Sequence, residues 1–296
     1  MPSVFRALLI FGMCCYANIA FAAHINSGLA LLKVETGARA SAMGEAFTAV
    51  SADPLSQNYN PAGAAGGSEF NAYLGQTLYW ENITLQSGFT SFAKGSWQFH
   101  FSVRSAKVDG IEARGSTPSI NPDFVFDSRD LSVKAGVAIP LNERLTVGLA
   151  LGWVMERISF YQSSTMMFDI GAVYKQNDKL TLGFSVLNIG SALSFDSADV
   201  SLPTAVRGGA SYVLNDVLLA ADGVFIDEEF HLHFGAEYQG IKALALRAGY
   251  QSGYDSKSVT FGVGFSKNNL RFDYTFIPYS NSLTDSHQFG LSVFVN

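Results

Sequence analysis

Hydrophobic and polar residues alternate with a period of two along most of the chain after residue 68. This is the period of a β-strand, in which successive side chains point to opposite faces, and it predicts fourteen strands. Each is roughly 9–13 residues long, which matches the ~9–11 residues of a tilted strand that crosses a bilayer. The predicted strands lie near 69–79, 82–93, 96–106, 130–140, 144–156, 165–175, 179–189, 203–213, 216–226, 230–239, 242–251, 257–266, 269–278 and 285–295.

The two faces of these strands differ in the size of their side chains. In the stretch SVTFGVGFS at 258–266, valine and phenylalanine alternate with threonine, glycine and serine. A soluble sandwich also alternates, but its polar face meets water and is normally rich in Lys and Glu. A polar face of Gly, Ser, Thr and Ala is instead typical of the crowded lumen of a barrel. The pattern therefore predicts an all-β fold, a transmembrane antiparallel β-barrel, which also has no free sheet edges.

The connections after the even-numbered predicted strands are short, and most of those after the odd-numbered strands are longer. Tight turns with Asn, Asp, Gly, Gln or Lys lie at 94–95, 141–143, 176–178, 215–216, 239–240 and 267–268. Longer connections lie at 107–129, 157–164, 190–202, 252–256 and 279–284. Short turns at one end and long loops at the other are typical of an outer-membrane barrel, and an even strand count predicts that both chain ends are periplasmic. The acidic, polar 107–129 loop is the best candidate for an exposed surface element.

The segment TGARASAMGEAFTAVSADPLSQNYNPAGAA at 36–65 does not follow the strand pattern. It is rich in Ala, and Ser41 before Gly44 and Glu45 suggests a short helical turn. Pro61 has no N–H and forces Asn60 towards extended geometry, so we expect the helical part to end there. Two interpretations stay open: an ordinary surface helix and turn, or a compact element packed inside the barrel.

The first 22 residues are predicted to be a secretory signal peptide. Arg6 precedes an apolar run from Ala7 to Tyr16, and Ala20-Phe21-Ala22 supplies a small-x-small cleavage signal. We therefore divide the chain into a signal peptide at 1–22, an N-terminal segment at 23–68 and a barrel at 69–296. A lipoprotein alternative would use Cys14 or Cys15, but Phe11-Gly12-Met13 is a poor lipoprotein box.

Charge and motif content exclude several function classes. The net charge is −6, or −7 once Arg6 is removed, and without basic clusters a nucleic-acid partner is not expected. No phosphate loop, Gly-x-Ser-x-Gly or His-Glu-x-x-His motif occurs, so we predict neither catalytic residues nor a cofactor. His231, His233 and Glu237 are in phase on one strand, but a zinc site needs three or four converging ligands, and no metal site is predicted.

Nine charged residues fall on the polar face of the predicted strands. Both signs are present, which favours paired charges that brace a lumen, because unpaired charges inside a barrel are costly. The alternative is a polar constriction, or an anchor for a ligand carboxylate through one of the arginines. This predicted lumen set consists of Arg104, Lys134, Asp169, Arg207, Asp222, Glu237, Arg247, Arg271 and Asp273.

The N-terminal run at 37–65 resembles the start of the PorV/PorQ family of outer-membrane proteins, relatives of the FadL long-chain fatty-acid transporters. Weaker similarities are GFSVLNIG at 183–190, LPTAVRGGASY at 202–212, FGAEYQG at 234–240 and LALRAGYQSG at 244–253. The resemblance covers essentially the whole mature chain. It implies a barrel of about fourteen strands with the N-terminal segment folded into the lumen as a hatch.

The resemblance also carries site and partner expectations. The Asn-Pro-Ala of the FadL branch belongs to the hatch and falls here on Asn60, Pro61 and Ala62, followed by Gly63. That branch implies transport of hydrophobic molecules, with the bilayer of the outer membrane as surroundings. The PorV branch implies instead a platform that shuttles cargo proteins of type IX secretion. The chain departs from both: its external loops are short for a FadL transporter, and its last residue, Asn296, is not aromatic.

Overall fold

The computed structural model describes residues 28–79, 83–116, 119–196, 198–280 and 283–295. The predicted signal peptide at 1–22, its cleavage site and residues 23–27 lie outside these ranges. Three short helices come first in the chain: α1 (Ala30–Lys33), α2 (Ala38–Ala42) and α3 (Ser56–Tyr59), followed by a 3₁₀ helix (Pro61–Ala64). Within the described residues, no helix is long and apolar enough to cross a membrane.

Sixteen strands follow in the described part of the chain. They are β1 (Phe70–Leu78), β2 (Thr84–Lys94), β3 (Trp97–Ala113), β4 (Phe124–Pro140), β5 (Leu145–Ile158), β6 (Tyr161–Lys175), β7 (Leu180–Gly190), β8 (Leu193–Phe195), β9 (Ala198–Val200), β10 (Ala205–Leu214), β11 (Val217–Ile226), β12 (Glu229–Ile241), β13 (Leu244–Ser252), β14 (Val259–Lys267), β15 (Leu270–Ile277) and β16 (Ser286–Val295).

Fourteen of these strands form a closed antiparallel barrel, which confirms the predicted fold class. Neighbours in sequence are neighbours in the sheet, except that β7 pairs with β10 because β8 and β9 form a separate hairpin in the connection between them. The first and last barrel strands close the ring, with Tyr73 opposite Ser292. Closure pairs the backbone groups of every strand on both sides and leaves no sheet edge.

The alternation of side chains places large apolar residues outside and small or polar residues inside. On β14, Phe261 and Phe265 are 50% and 54% exposed, whereas Thr260 between the outward positions is buried. On β3, Trp97, Phe101 and Val103 are similarly exposed. The outer wall is therefore an apolar belt, and the inner wall carries the buried polar groups.

The connections at one end of the barrel are tight turns, as predicted, although the turn predicted at 239–240 lies at 242–243 because β12 extends to Ile241. Two connections at the other end are shorter than predicted. The 107–129 loop shrinks to 114–123, because β3 and β4 continue to pair past a bulge as far as Ala113 opposite Phe124. The 157–164 connection is a two-residue turn at 159–160, since β5 and β6 pair as far as Ile158 opposite Tyr161. The prediction of long loops there was wrong, because strand pairing continues beyond the apolar belt.

Residues 28–68, called here the inner segment, pack against the buried face of the barrel wall. Met43, Phe47, Leu55 and Tyr59 form an apolar cluster in which Tyr73 of β1 takes part. The wall approaches this segment closely where it carries glycine. A Cβ on Gly148, Gly235 or Gly249 would collide with backbone atoms of the inner segment. Small wall residues thus make room for the segment inside the barrel.

Candidate functional site

Six charged side chains form a closed ring of ion pairs between the inner segment and the wall. Going round, each arginine contacts two carboxylates and each carboxylate contacts two arginines. The members, in order, are Arg39, Asp53, Arg271, Asp273, Arg247 and Glu237. We call this set the charge ring. Three cations and three anions make it electrically neutral, which is what permits so many ionised groups to be buried together.

Arg39 and Asp53 bring the inner segment into the charge ring. Arg39 donates from Nε and Nη2 to the two oxygens of Glu237, at 2.8 and 2.5 Å, and from Nη1 to Asp53 at 2.8 Å. The two-pronged contact with Glu237 has the geometry of the strongest charge-assisted hydrogen bonds. Asp53 is also bound by Arg271 at 2.7 Å and accepts a hydrogen bond from the Leu55 amide.

The wall supplies the other four members from β12, β13 and β15. Arg247 bridges Glu237 at 2.5 Å and Asp273 at 2.7 Å, and Arg271 holds the second oxygen of Asp273 at 2.8 Å. Burial alone would raise the pKa of Asp53, but the guanidinium groups of Arg271 and Arg39 outweigh burial and lower the pKa to about 2. Asp53 therefore stays ionised, and the contact between segment and wall is ionic at neutral pH.

A second contact joins the inner segment to β10 and β11. Asp222 accepts hydrogen bonds from the Phe47 and Thr48 amides, both at 2.9 Å, and from the Thr48 hydroxyl at 2.6 Å. Arg207 lies 3.3 Å from Asp222 and donates to the Glu45 carbonyl at 2.7 Å. This pair of the predicted lumen set thus binds backbone of the inner segment rather than lining an open channel.

The last three members of the predicted lumen set lie apart from the charge ring. Lys134 donates to Asp169 at 2.6 Å and to Asn188 at 2.8 Å, a cluster within the wall. Arg104 is buried, and its acceptors are all neutral: Asn58 at 3.3 Å and two carbonyl oxygens of the inner segment. Its Nε finds no hydrogen-bond partner in the described part of the chain.

A cavity of about 190 Å³ lies beside Arg104, between the inner segment and the wall. Leu32, Leu187 and Val224 contribute apolar lining, and most of the other lining residues are polar or charged, among them Arg104 and Glu45. Burial raises the pKa of the Glu45 carboxyl, which accepts hydrogen bonds from Tyr59 and Gln251. The cavity therefore offers apolar contact together with one cationic group whose hydrogen bonding is incomplete.

The four residues predicted to belong to the hatch, Asn60 to Gly63, lie where the inner segment meets β4, β5 and β6. Asn60 is extended, with φ −159° and ψ 114°, as the following Pro61 requires, and its side chain accepts a hydrogen bond from the Ala62 amide at 3.0 Å. The same side chain donates to carbonyl oxygens of Thr48 and Ala172, both at 2.9 Å. Pro61, Ala62 and Gly63 are buried in the 3₁₀ helix that follows.

His231 and His233 both lie on the inner wall, as their phase predicts, and Tyr254 connects them. The Tyr254 ring stacks on His231 at 4.1 Å between centroids, and its hydroxyl lies 3.0 Å from Nε2 of His233. Within the described residues, no group of three His, Cys, Asp or Glu side chains could hold a metal ion.

Sequence reasoning missed the contributions of the inner segment to this site. Arg39, Glu45 and Asp53 lie in a stretch with no strand period, so phase could not assign them to a face. Their charge was the available signal, because buried charges in a lumen need partners of opposite sign.

Comparison with known proteins shows a likeness in fold only. No family model and no curated protein matches the chain. The toluene transporter TbuX of Ralstonia pickettii superposes with a TM-score of 0.67 at 14% identity, over 88% of this chain and 98% of that one. The toluene transporter TodX of Pseudomonas putida gives 0.64 at 15% identity, over 87% and 96%. A FadL homologue of Pseudomonas aeruginosa gives 0.55 at 13% identity, over 84% and 95%. At these identities the comparison establishes the barrel fold.

Proposed function

We propose that this protein is a non-enzymatic outer-membrane barrel that transports hydrophobic molecules, with the inner segment as its hatch. The likeness in fold to proteins described as toluene transporters and as a FadL homologue supports the class. The sequence resemblance points the same way, and the predicted signal peptide fits export across the inner membrane.

The apolar belt supports placement in a membrane. On β5, the outward positions from Leu145 to Met155 are all apolar and span ten residues. At ~3.4 Å per residue and a tilt of about 40°, this corresponds to about 26 Å along the barrel axis. The lipid-facing band of outer-membrane barrels is about 25 Å tall. We take the end with short turns as periplasmic and the end with β8 and β9 as external.

The observation that carries the proposal is a lumen filled by the inner segment, with a small cavity beside it. The segment binds the wall through the charge ring, Asp222 and the glycine contacts, so the barrel holds no wide water channel in its described part. An apolar cavity of about 150 Å³ accommodates benzene. The cavity of about 190 Å³ therefore suits a molecule of the size of one aromatic ring.

Arg104 refines the class of molecule proposed. Arg104 lines the cavity together with the apolar side chains Leu32, Leu187 and Val224, and its buried Nε has no hydrogen-bond partner in the described part of the chain. A small apolar body with one polar or acidic group would contact both kinds of lining, and a charge-assisted hydrogen bond to the guanidinium would favour it. Movement of the inner segment would then open a path past the cavity.

A disulfide between the inner segment and the wall tests both parts of the proposal. A Cβ on Gly235 would lie 2.8 Å from Cβ of Met43 and 2.5 Å from the Met43 carbonyl oxygen, so the segment must shift by about 1 Å to reach the ~3.8 Å spacing of a disulfide. The single variant Gly235→Cys measures the effect of that shift alone. The predicted mature chain has no cysteine of its own. Uptake of radiolabelled toluene and of benzoate is measured in cells that produce the wild type, Met43→Cys, Gly235→Cys or the double variant.

We expect uptake by the wild type, loss of uptake in the oxidised double variant, and recovery on reduction. Wild-type uptake of both probes at the level of cells without the protein would refute transport of this class. Uptake that the disulfide leaves unchanged would refute movement of the hatch while leaving transport intact.

The type IX platform is a second candidate that rests on the PorV/PorQ resemblance alone. Stable co-purification of secretion proteins from detergent extracts, without any uptake activity, would favour it over transport.

A further inference from the structure

Three basic side chains stand side by side on the outer wall of the barrel. Lys107 of β3 is directly opposite Arg129 of β4, and Arg129 is directly opposite Arg157 of β5. All three share the phase of the outward apolar residues on their strands, such as Val103 and Val133. We call them the basic row.

The basic row is an unfavourable arrangement for an isolated protein. Side chains directly opposite each other in an antiparallel sheet have Cβ atoms about 5 Å apart, and like charges in that position destabilise the sheet. The chain as a whole is acidic, with a net charge of −6, so three adjacent cations are not a consequence of composition. The arrangement calls for an anion that the polypeptide itself does not fully supply.

The carboxylates nearby compensate the basic row only in part. Lys107 pairs with Asp109 at 2.5 Å, with side chains 44% and 45% exposed. Asp127, two residues before Arg129, accepts a hydrogen bond from the Gly110 amide at 3.4 Å. Two anions against three cations leave one positive charge. Arg157 also has a buried Nε with no hydrogen-bond partner in the described part of the chain.

The position of the basic row along the barrel axis indicates which part of a lipid can contact it. The outward row directly below consists of Ser105, Leu131, Met155 and Ser164, and the next consists of Val103, Val133, Trp153 and Met166. Below these the outward residues remain apolar down to Trp97. The basic row thus lies at the upper edge of the apolar belt, at the level of lipid headgroups, on the end taken as external.

We propose that the basic row binds the phosphate groups of a phosphorylated glycolipid in the external leaflet of the membrane. The acyl chains of such a lipid cover the apolar wall below, and its phosphates neutralise the cations above. Arginine is well suited to this role, because its planar guanidinium binds phosphate through two hydrogen bonds. Thr84 beside Lys107 and Gln162 beside Arg157 extend the row with polar groups that can contact the sugar. This proposal rests on the membrane placement given above and is independent of transport.

The test compares lipid binding by two triple variants with equal loss of charge. One carries Lys107→Gln, Arg129→Gln and Arg157→Gln. The control carries Lys94→Gln, Lys179→Gln and Lys242→Gln, three exposed lysines at the turns of the opposite end. Purified proteins in a zwitterionic detergent are titrated with diphosphoryl lipid A and with its dephosphorylated form, and bound lipid is measured by native mass spectrometry.

We expect the wild type and the control to bind diphosphoryl lipid A alike and the basic-row variant to bind it about 100-fold more weakly, roughly fivefold per cation removed. Dephosphorylated lipid A should bind all three proteins equally weakly. Equal binding by the two triple variants, or equal binding of the two lipids to the wild type, would overturn the proposal. Displacement of the lipid by millimolar inorganic phosphate would also overturn it, because the site would then be one for free phosphate.

Two further measurements guard against misfolding of the variant. A variant with Lys107→Arg, Arg129→Lys and Arg157→Lys keeps every charge and should bind within about threefold of the wild type. In lipid-free detergent the glutamine variant should melt no lower than the wild type, because repulsion within the row is removed. Diphosphoryl lipid A should raise the melting temperature of the wild type and of the charge-preserving variant, but not that of the glutamine variant. A rise of equal size in the glutamine variant would contradict the proposal.

Discussion

Replacement of Arg39 by Met tests how the inner segment is held in the barrel. Arg39 donates three hydrogen bonds within the charge ring: two to Glu237, at 2.5 and 2.8 Å, and one to Asp53 at 2.8 Å. Its removal changes the ring from three cations and three anions to two cations and three anions. Loss of one partner of a buried ion pair costs about 3–5 kcal/mol, because a charge is left uncompensated.

We expect the lower end of that range for Arg39→Met. Glu237 retains Arg247 at 2.5 Å, and Asp53 retains Arg271 at 2.7 Å, so each carboxylate keeps one cation. A loss of about 3 kcal/mol raises the population of the undocked inner segment roughly 150-fold. The double variant Arg39→Met with Asp53→Asn restores neutrality at two cations and two anions. The docking free energy lost in the double variant should be about 1–2 kcal/mol smaller than the sum of the losses in the two single variants.

Amide hydrogen exchange at residues 38–64 measures the docking free energy, and conductance in planar bilayers reports the open barrel. The matched control is Arg114→Met, which removes an exposed ion pair with Glu112 at 2.6 Å. Such a pair contributes about 0–1 kcal/mol, and it lies outside the lumen. Exchange in Arg39→Met as slow as in the Arg114→Met control would refute the conclusion that the charge ring holds the inner segment in the barrel. A loss of docking free energy in the double variant equal to the sum of the two single losses would also refute that conclusion.

Three further outcomes follow from the same contacts. The pKa of Asp53 is lowered to about 2 from an ordinary value of 3.8, so its contribution to docking, about 2 kcal/mol, is complete above pH 4 and is lost as the pH falls towards 2. Exchange protection of the inner segment at pH 5 and at pH 2.5 checks this, and Asp53→Asn should reduce the difference between the two by about that amount. Asn60→Ala removes three hydrogen bonds and should cost about 2–3 kcal/mol of docking free energy by exchange, whereas Asn177→Ala in an exposed turn should leave docking unchanged. Gly249→Ala should lower the thermal midpoint of docking, since its Cβ would strike backbone, while Gly88→Ala, with its nearest neighbour at 3.5 Å, should not.

The barrel could be predicted from the sequence because its strands obey one physical rule along their whole membrane-facing length. Outward residues must be apolar and inward residues must be small or polar, so the alternation marks both the strands and their faces. The prediction failed where that rule no longer applies. Beyond Lys107, β3 continues through Asp109 and Gly110, and its pairing with β4 depends on backbone hydrogen bonds rather than on an alternating face. The alternation of apolar and polar residues therefore does not predict that β3 and β4 continue past this point.

The contacts between the inner segment and the wall could not be predicted residue by residue, because many of them join positions more than 150 residues apart. Arg39 and Glu237 meet through a barrel closure and a chain reversal that no local pattern encodes. Phase could place Glu237 on the inner face of its strand. It could not choose between Arg39 and another cation as its partner, since pairing depends on the height at which the segment sits in the lumen.

Charge balance nevertheless constrains the inner segment more than its irregular sequence suggests. The predicted lumen set contains five cations and four anions, an excess of one positive charge that a dry interior does not tolerate without compensation. The buried charges of the inner segment are Glu35, Arg39, Glu45 and Asp53, an excess of two negative charges. Lys257, which binds Glu35 from the loop after β13, adds one positive charge, and the buried Asp130 of β4 adds one negative charge. Withdrawal of the segment removes partners from buried charges on both surfaces, such as Arg271 of the wall and Asp53 of the segment, and water must enter the lumen to solvate them.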